Sequence, residues 1–156
     1  MSDMKRSFSM IELIFAIIII GILALVSIPK LFATRDDAII SKVRTDISNI
    51  RSSVFNLHSK RLLRGDSSYP EALDDAQANK EGEKLFDGNE SMGILLDYPI
   101  YSKNADGHWM KTDDTNYTVI IMDNNITFNY YKNNGHFDCE GLNSNRADDL
   151  CKQLTH

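Results

Sequence analysis

The strongest constraint on this chain sits near its start, where Phe8 to Leu31 reads FSMIELIFAIIIIGILALVSIPKL. From Leu13 to Ile28, sixteen residues carry no charge and a single hydroxyl, at Ser27. With residues 8–12 the run reaches 21 residues, about 31 Å as a helix, matching a hydrocarbon core of about 30 Å. Such a helix has to be covered by lipid or by protein, and the rest of the fold must be built beside it. Glu12 interrupts the run. A carboxylate inside an apolar span is costly unless it is paired, which makes Glu12 a candidate functional group. The alternative is a carboxylate at the membrane boundary reaching toward the headgroups. Lys5 and Arg6 favour a cytoplasmic N-terminus, which sends everything after Pro29 across the membrane. A removable secretory signal would be shorter, lack the carboxylate and end in a small-x-small site, of which Leu25-Val26-Ser27 is a poor version.

Lys5-Arg6-Ser7, Phe8-Ser9-Met10-Ile11-Glu12-Leu13-Ile14, Gly21-Ile22-Leu23-Ala24 and Ile28-Pro29 together resemble the leader and first helix of type IV pilins and type II secretion pseudopilins. One departure is Ser7, where that family usually has Gly. The resemblance implies an α+β, pilin-like fold with a long N-terminal helix packed on a small antiparallel sheet. It implies cleavage between Ser7 and Phe8 by a prepilin peptidase, methylation of the new Phe8 amine, and pairing of Glu12 with the Phe8 amine of a neighbouring subunit. Gly21 to Pro29 is then the segment that unwinds on assembly. The implied partners are copies of the chain, other pilins, the prepilin peptidase, an inner-membrane assembly platform and the bilayer. The implied location is a bacterial inner membrane with the head in the periplasm, and a filament after assembly. A type II secretion pseudopilus is the favoured system. A type IV pilus and a competence pilus share the same start, and only the last would engage nucleic acid. A monomeric membrane-tethered binding module is the reading from a different class.

The expected organisation is a leader at residues 1–7, a transmembrane and assembly helix at 8–29, an amphipathic continuation at 30–64 and a head at 65–156. Gly21 weakens its helix by about 1 kcal/mol against Ala. Pro29 has no amide proton for the Leu25 carbonyl and is expected to kink or loosen the helix. Beyond it, Ile39, Val43, Ile47, Ile50, Val54 and Leu57 recur at helical spacing as one narrow stripe, the expected seat of the head. Arg64-Gly65-Asp66 predicts the helix end. The helix so defined is about 80 Å long, more than a head of this size covers. The polar stretch from Asp66 to Asn89 reads as a long connection with a short helical piece around Glu81–Phe86. Strands are expected at Met92–Leu96, His108–Lys111, Asn116–Met122 and Ile126–Tyr131. Asp123-Asn124-Asn125 is the expected hairpin turn, and Trp109 is expected to pack between sheet and helix.

Charge is uneven along the chain. The net charge is −5 overall, +4 over residues 30–62 and −9 over residues 63–156. A basic stem and an acidic head suit stems that pack beside other subunits' heads, and the acidic head disfavours general binding of nucleic acid. Cys139 and Cys151, the only cysteines, have eleven residues between them. Outside the cytoplasm they most simply form a disulfide. A metal site is the lesser option, since His136 is the one nearby imidazole and the spacing matches no common zinc site. No catalytic constellation is visible: His58, His108, His136 and His156 lie far apart, and no phosphate loop, GxGxxG or HExxH occurs. Asp113-Asp114 and Asp123-Asn124-Asn125 offer oxygen ligands for calcium without the spacing of a known loop.

A less expected pattern is acidic-x-Asn-x-Ser/Thr. It occurs at Asp87-Gly88-Asn89-Glu90-Ser91, Asp114-Thr115-Asn116-Tyr117-Thr118 and Asp123-Asn124-Asn125-Ile126-Thr127. It resembles the extended acceptor of bacterial N-glycosylation, which makes Asn89, Asn116 and Asn125 candidate modification sites. Asn89, in an expected loop, is the leading one. An acidic, Asn-rich composition that generates such strings locally is the alternative reading.

Overall fold

The computed structural model describes residues 9–89, 93–139 and 145–155, with the side chains of 26–33 and 145 outside the described set. The chain forms two compact units, Met1–Asp37 and Ala38–His156. Helix α1, Met10–Leu62, begins in the first and ends in the second. Eight strands and a second helix follow among the described residues: β1 Lys84–Leu85, β2 Gly88–Asn89, β3 Gly93–Ile94, β4 Ile100–Tyr101, β5 Trp109–Lys111, β6 Asn116–Ile121, β7 Asn124–Tyr131, β8 His136–Cys139 and α2 Asn145–Thr155. The fold is α+β, with a helix packed against an antiparallel sheet.

The second unit is built on the α1 stripe. Val43, Ile47, Ile50, Val54 and Leu57 are buried, and Ile39 is partly so. Opposite them stands one antiparallel sheet in the order β5-β6-β7-β8. Its strands alternate as a half-buried sheet must. Tyr117, Val119 and Ile121 of β6, Ile126, Phe128 and Tyr130 of β7, and Phe137 of β8 point inward. The expected β6–β7 pairing is present, with Val119 opposite Ile126 and Tyr117 opposite Phe128. Trp109 is fully buried between sheet and helix, and its Nε1 donates to Asp46 Oδ2 of α1 at 3.1 Å. Burial pushes the Asp46 carboxyl above its ordinary range, while the Trp109 bond and Lys42 oppose the shift. The helix ends where Gly65 adopts φ +84°. Gly65 N–H bonds Leu62 O, and Asp66 N–H bonds Arg61 O, the paired bonds of a Schellman cap.

Several expectations are corrected. No helix forms at Glu81–Phe86. Gly82 and Phe86 take left-handed φ of +78° and +59°, and Lys84–Leu85 pairs instead with Ile100–Tyr101. The rest of the connection is anchored in the core, since Leu73, Leu85 and Phe86 are buried there and Phe86 packs 4.5 Å from Tyr117, centroid to centroid. The strand expected at Met92–Leu96 is only Gly93–Ile94, and it pairs with Gly88–Asn89 outside the main sheet; Met92 lies outside the described residues. Gly88 is obligatory there, because a Cβ on it would lie 2.1 Å from the Gly93 carbonyl oxygen.

The hairpin turn is Met122-Asp123 and not Asp123-Asn124-Asn125. Both turn residues have positive φ, +51° and +60°, the signature of a two-residue I′ turn. Asn124 enters the strand, and its amide donates to the Met122 carbonyl at 2.6 Å. The Asp106 carboxylate takes the Met122 N–H at 3.0 Å, holding a residue type that seldom sits there. The strand expected at His108 begins at Trp109. Finally, the stretch after Cys139 has more apolar content at work than its composition suggests, because α2 buries Ala147, Leu150 and Leu154 along one face.

Candidate functional site

Helix α1 starts as residues 9–13 dictate. The Ser9 carbonyl accepts from the amides of Glu12 at 3.0 Å and Leu13 at 3.2 Å. Ser9 before the first turn and Glu12 three residues on form a helix-start pattern, and a carboxylate in the first turn complements the helix dipole. The Glu12 side chain is exposed. Around and beyond it the helix is apolar on every side. Every large apolar side chain from Met10 to Leu25 is at least 42% exposed, the value for Ile19. Each contributes about 1.5–3 kcal/mol when taken fully out of water, so this surface carries a strong drive toward an apolar partner. Among the described residues no helix is long and apolar enough to cross a membrane. The uncharged run of the sequence continues to Pro29, beyond Leu25, the last described side chain before residue 34.

Gly21 sits in this helix with nothing within 4 Å of where a Cβ would be. The α1 assignment is unbroken through Pro29, so no helix break accompanies the proline, although its side chain is outside the described set. Ser7 and Phe8 lie outside the described residues.

Three basic residues of the stem, Lys42, Arg44 and Arg51, are engaged within the second unit. Lys42 Nζ donates to the Gly107 carbonyl at 2.7 Å, and Arg44 to the Gln153 carbonyl near the end of α2. Arg51 donates to the Phe137 carbonyl and pairs with Asp138. These cations clamp α1 to the sheet edge and to α2, and Arg51 alone of the three meets a carboxylate, that of Asp138.

A buried polar site that the sequence reading missed holds the connection onto the sheet. Lys111 stands on the inner face of β5 with its side chain 6% exposed, and its Nζ lies 2.9 Å from Asp74 Oδ1, whose side chain is fully buried. Asp74 Oδ2 accepts from Tyr117 Oη at 2.9 Å and from the Phe86 amide at 2.9 Å. Its Oδ1 also accepts from the Ala76 amide at 3.2 Å. Burial, then the Asp74 charge, push the Tyr117 phenol well above its ordinary range, so it remains a donor. The one available signal was Lys111 in a strand at an inward alternation position, which demands a buried anion.

Cys139 of β8 and Cys151 of α2 form a disulfide, with Cα atoms 6.0 Å apart. It ties α2 to the sheet beside the Arg44 clamp. Reducing it is expected to lower head stability by about 3 kcal/mol in the chain-entropy view, read as a shift of the urea midpoint in Trp109 fluorescence with and without reductant.

The three candidate acceptor asparagines differ in setting. Asn89 is in β2 and not in a loop; it is half-buried, and its amide donates to Asp75 Oδ1 at 3.2 Å. Asn116 begins β6, half-buried, with Oδ1 3.4 Å from Thr115 Oγ1. Asn125 is in β7 and exposed. The Asp113 carboxylate caps its own turn through the Asp114 amide at 2.9 Å. Among the described residues no group of three or more His, Cys, Asp or Glu side chains comes together to hold a metal ion.

Comparison with known proteins locates one match. Residues 3–28 fit the family model described as the prokaryotic N-terminal methylation motif. Neither the curated proteins nor the solved structures contain a match to the chain. The matched segment includes Lys5, Arg6, Glu12 and most of the apolar run, and so the chain carries the N-terminal signature of type IV pilin-like prepilins and pseudopilins.

Proposed function

We propose that this protein is a structural subunit of a type IV-pilus-like filament, in the first instance a type II secretion pseudopilus, anchored by its first helix in the inner membrane before assembly. The observation that carries the reading is the helix surface from Met10 to Leu25, apolar on all sides and exposed, with Glu12 as its one charge. In the bilayer lipid covers that surface; in the filament the helices of other subunits cover it. The chain is cut between Ser7 and Phe8, the Phe8 amine is methylated, and Glu12 pairs with the Phe8 amine of a neighbour. The pair removes the cost of a lone carboxylate among apolar helices and sets the axial register between subunits. The segment from Gly21 to Pro29, helical here, is where the helix gives way on assembly, since Pro29 leaves one carbonyl without its amide. The head stands in the periplasm, where the Cys139–Cys151 disulfide is stable. The small head supports a pseudopilus or a minor pilin over a major surface pilin.

The test is the N-terminal mass of the protein from its own host. A chain that begins at Phe8 with one added methyl group is the expected result. A chain that begins at Met1 or Ser2 would make it a permanently tethered module, and a start near Ile28 an ordinary secreted protein.

A further inference from the structure

We propose that Asn125 is an N-glycosylation site, modified by transfer of an oligosaccharide from a polyprenyl-diphosphate carrier. Three acidic-x-Asn-x-Ser/Thr strings occur in this head, and the fold separates them by one physical criterion: the folded product must accommodate the glycan. Asn89 fails it, being half-buried with its amide held by Asp75. Asn116 fails it too. It is half-buried in a central strand, and its carbonyl accepts the Thr112 amide from the β5 side while it pairs with Asn129 of β7 on the other.

Asn125 meets the criterion. It is exposed, it lies one ladder pair from the Met122-Asp123 turn, and it sits past Phe128↔Cys139, the last described pair with β8. Strand alternation places Ile126 in the core and Asn125 with Thr127 on the opposite face. The amide and the hydroxyl two residues on therefore lie on the same face of β7. Asp123, the acidic member, is exposed in the turn. The Thr127 hydroxyl lies 3.0 Å from that of Thr118 across the ladder, a contact that needs no change in the modified protein.

In the transfer, Asn125 Nδ2 forms a bond to the anomeric carbon of the first sugar. The bond from that carbon to the diphosphate oxygen breaks, and the lipid diphosphate leaves with the electron pair. One amide proton is given up to balance the charge, and no oxidant or reductant is consumed. The reaction needs the head on the extracytoplasmic side, as in the proposed topology, but needs neither cleavage at Ser7 nor filament assembly.

The experiment is intact-mass and glycopeptide mass spectrometry of the full chain from its native host, with Asn125→Gln, Asp123→Asn, Asn89→Gln and Asn116→Gln variants. Asn tolerates the left-handed backbone at position 123, so Asp123→Asn removes the acid with little strain. The expected result is a mass increment on the Asn125 peptide, lost in the first two variants and kept in the last two. An unmodified Asn125 peptide, or an increment carried by Asn89 or Asn116, overturns the proposal. A chain beginning at Phe8 with Asn125 bare would sink the glycan and leave the filament reading standing. A glycosylated chain beginning at Met1 would do the reverse.

Discussion

Replacing Asp74 by Ala is expected to lower head stability by about 3–5 kcal/mol, because it strands a buried ammonium. Lys111 Nζ, on a side chain 6% exposed, would lose the Asp74 carboxylate, and Tyr117 Oη and the Phe86 amide would each lose their acceptor. Marginal domains are stable by about 5–15 kcal/mol in all, so the loss is a large share of the total. Lys111→Met is expected to cost less, since Asp74 would still accept from Tyr117 and from two backbone amides. The double variant Asp74→Ala, Lys111→Met should recover part of the loss, because no lone charge remains in the core. Trp109, the single tryptophan and fully buried, reports the transition directly in urea titrations of the detergent-solubilised chain. A midpoint for Asp74→Ala within about 1 kcal/mol of wild type would mean that water reaches the pair, and the locking role would fall.

Glu12→Ala is expected to leave membrane insertion intact and to abolish filaments. Removing one carboxylate makes the run from Phe8 to Pro29 more apolar, so partition into lipid cannot suffer. In the proposed filament what is lost is the acceptor for the neighbouring Phe8 amine, which would then be buried as a lone cation between apolar helices at a cost of several kcal/mol per subunit. Because every subunit in a filament meets that cost, the deficit multiplies along the assembly and the outcome is all or none. Glu12→Gln should retain a weak acceptor and give few or short filaments. The measurement is the ratio of sheared filament to membrane-bound chain, with electron microscopy of the sheared fraction. Wild-type filament yield from Glu12→Ala would leave the carboxylate as a helix-start residue after Ser9 and no more.

The α1 stripe, the β6–β7 pairing, the position of Trp109 and the Cys139–Cys151 bond were all legible in the sequence, and each for a local reason. Helical spacing, two-residue alternation and a pair of cysteines leave their marks within a dozen residues. The I′ turn was read one residue late, because Asp123-Asn124-Asn125 has the right composition while Met122 does not. The tertiary contact from Asp106 to the Met122 amide outweighs that preference. The stretch from Leu73 to Phe86 failed for the same kind of reason. Its few apolar residues, Leu73, Leu85 and Phe86, are far enough apart to look incidental, and all of them enter the core. The helix α2 was missed because Ala147, Leu150 and Leu154 are diluted by charged neighbours and gain their meaning only from the sheet and α1 beside them.

The sequence by itself determined the N-terminal signature, the apolar helix with its one carboxylate, and the class of fold, because those follow from residue type and short-range spacing. Only the tertiary structure decided how a polar connection is locked to the sheet, since the Asp74–Lys111 pair joins residues 37 positions apart. It also set Lys42, Arg44 and Arg51 against the Gly107 carbonyl, α2 and β8, and it made Asn125 the exposed member of three identical patterns. The physical reason is common to all three. Burial and charge pairing are properties of what stands opposite a residue, and the chain's own order does not specify that until it has folded.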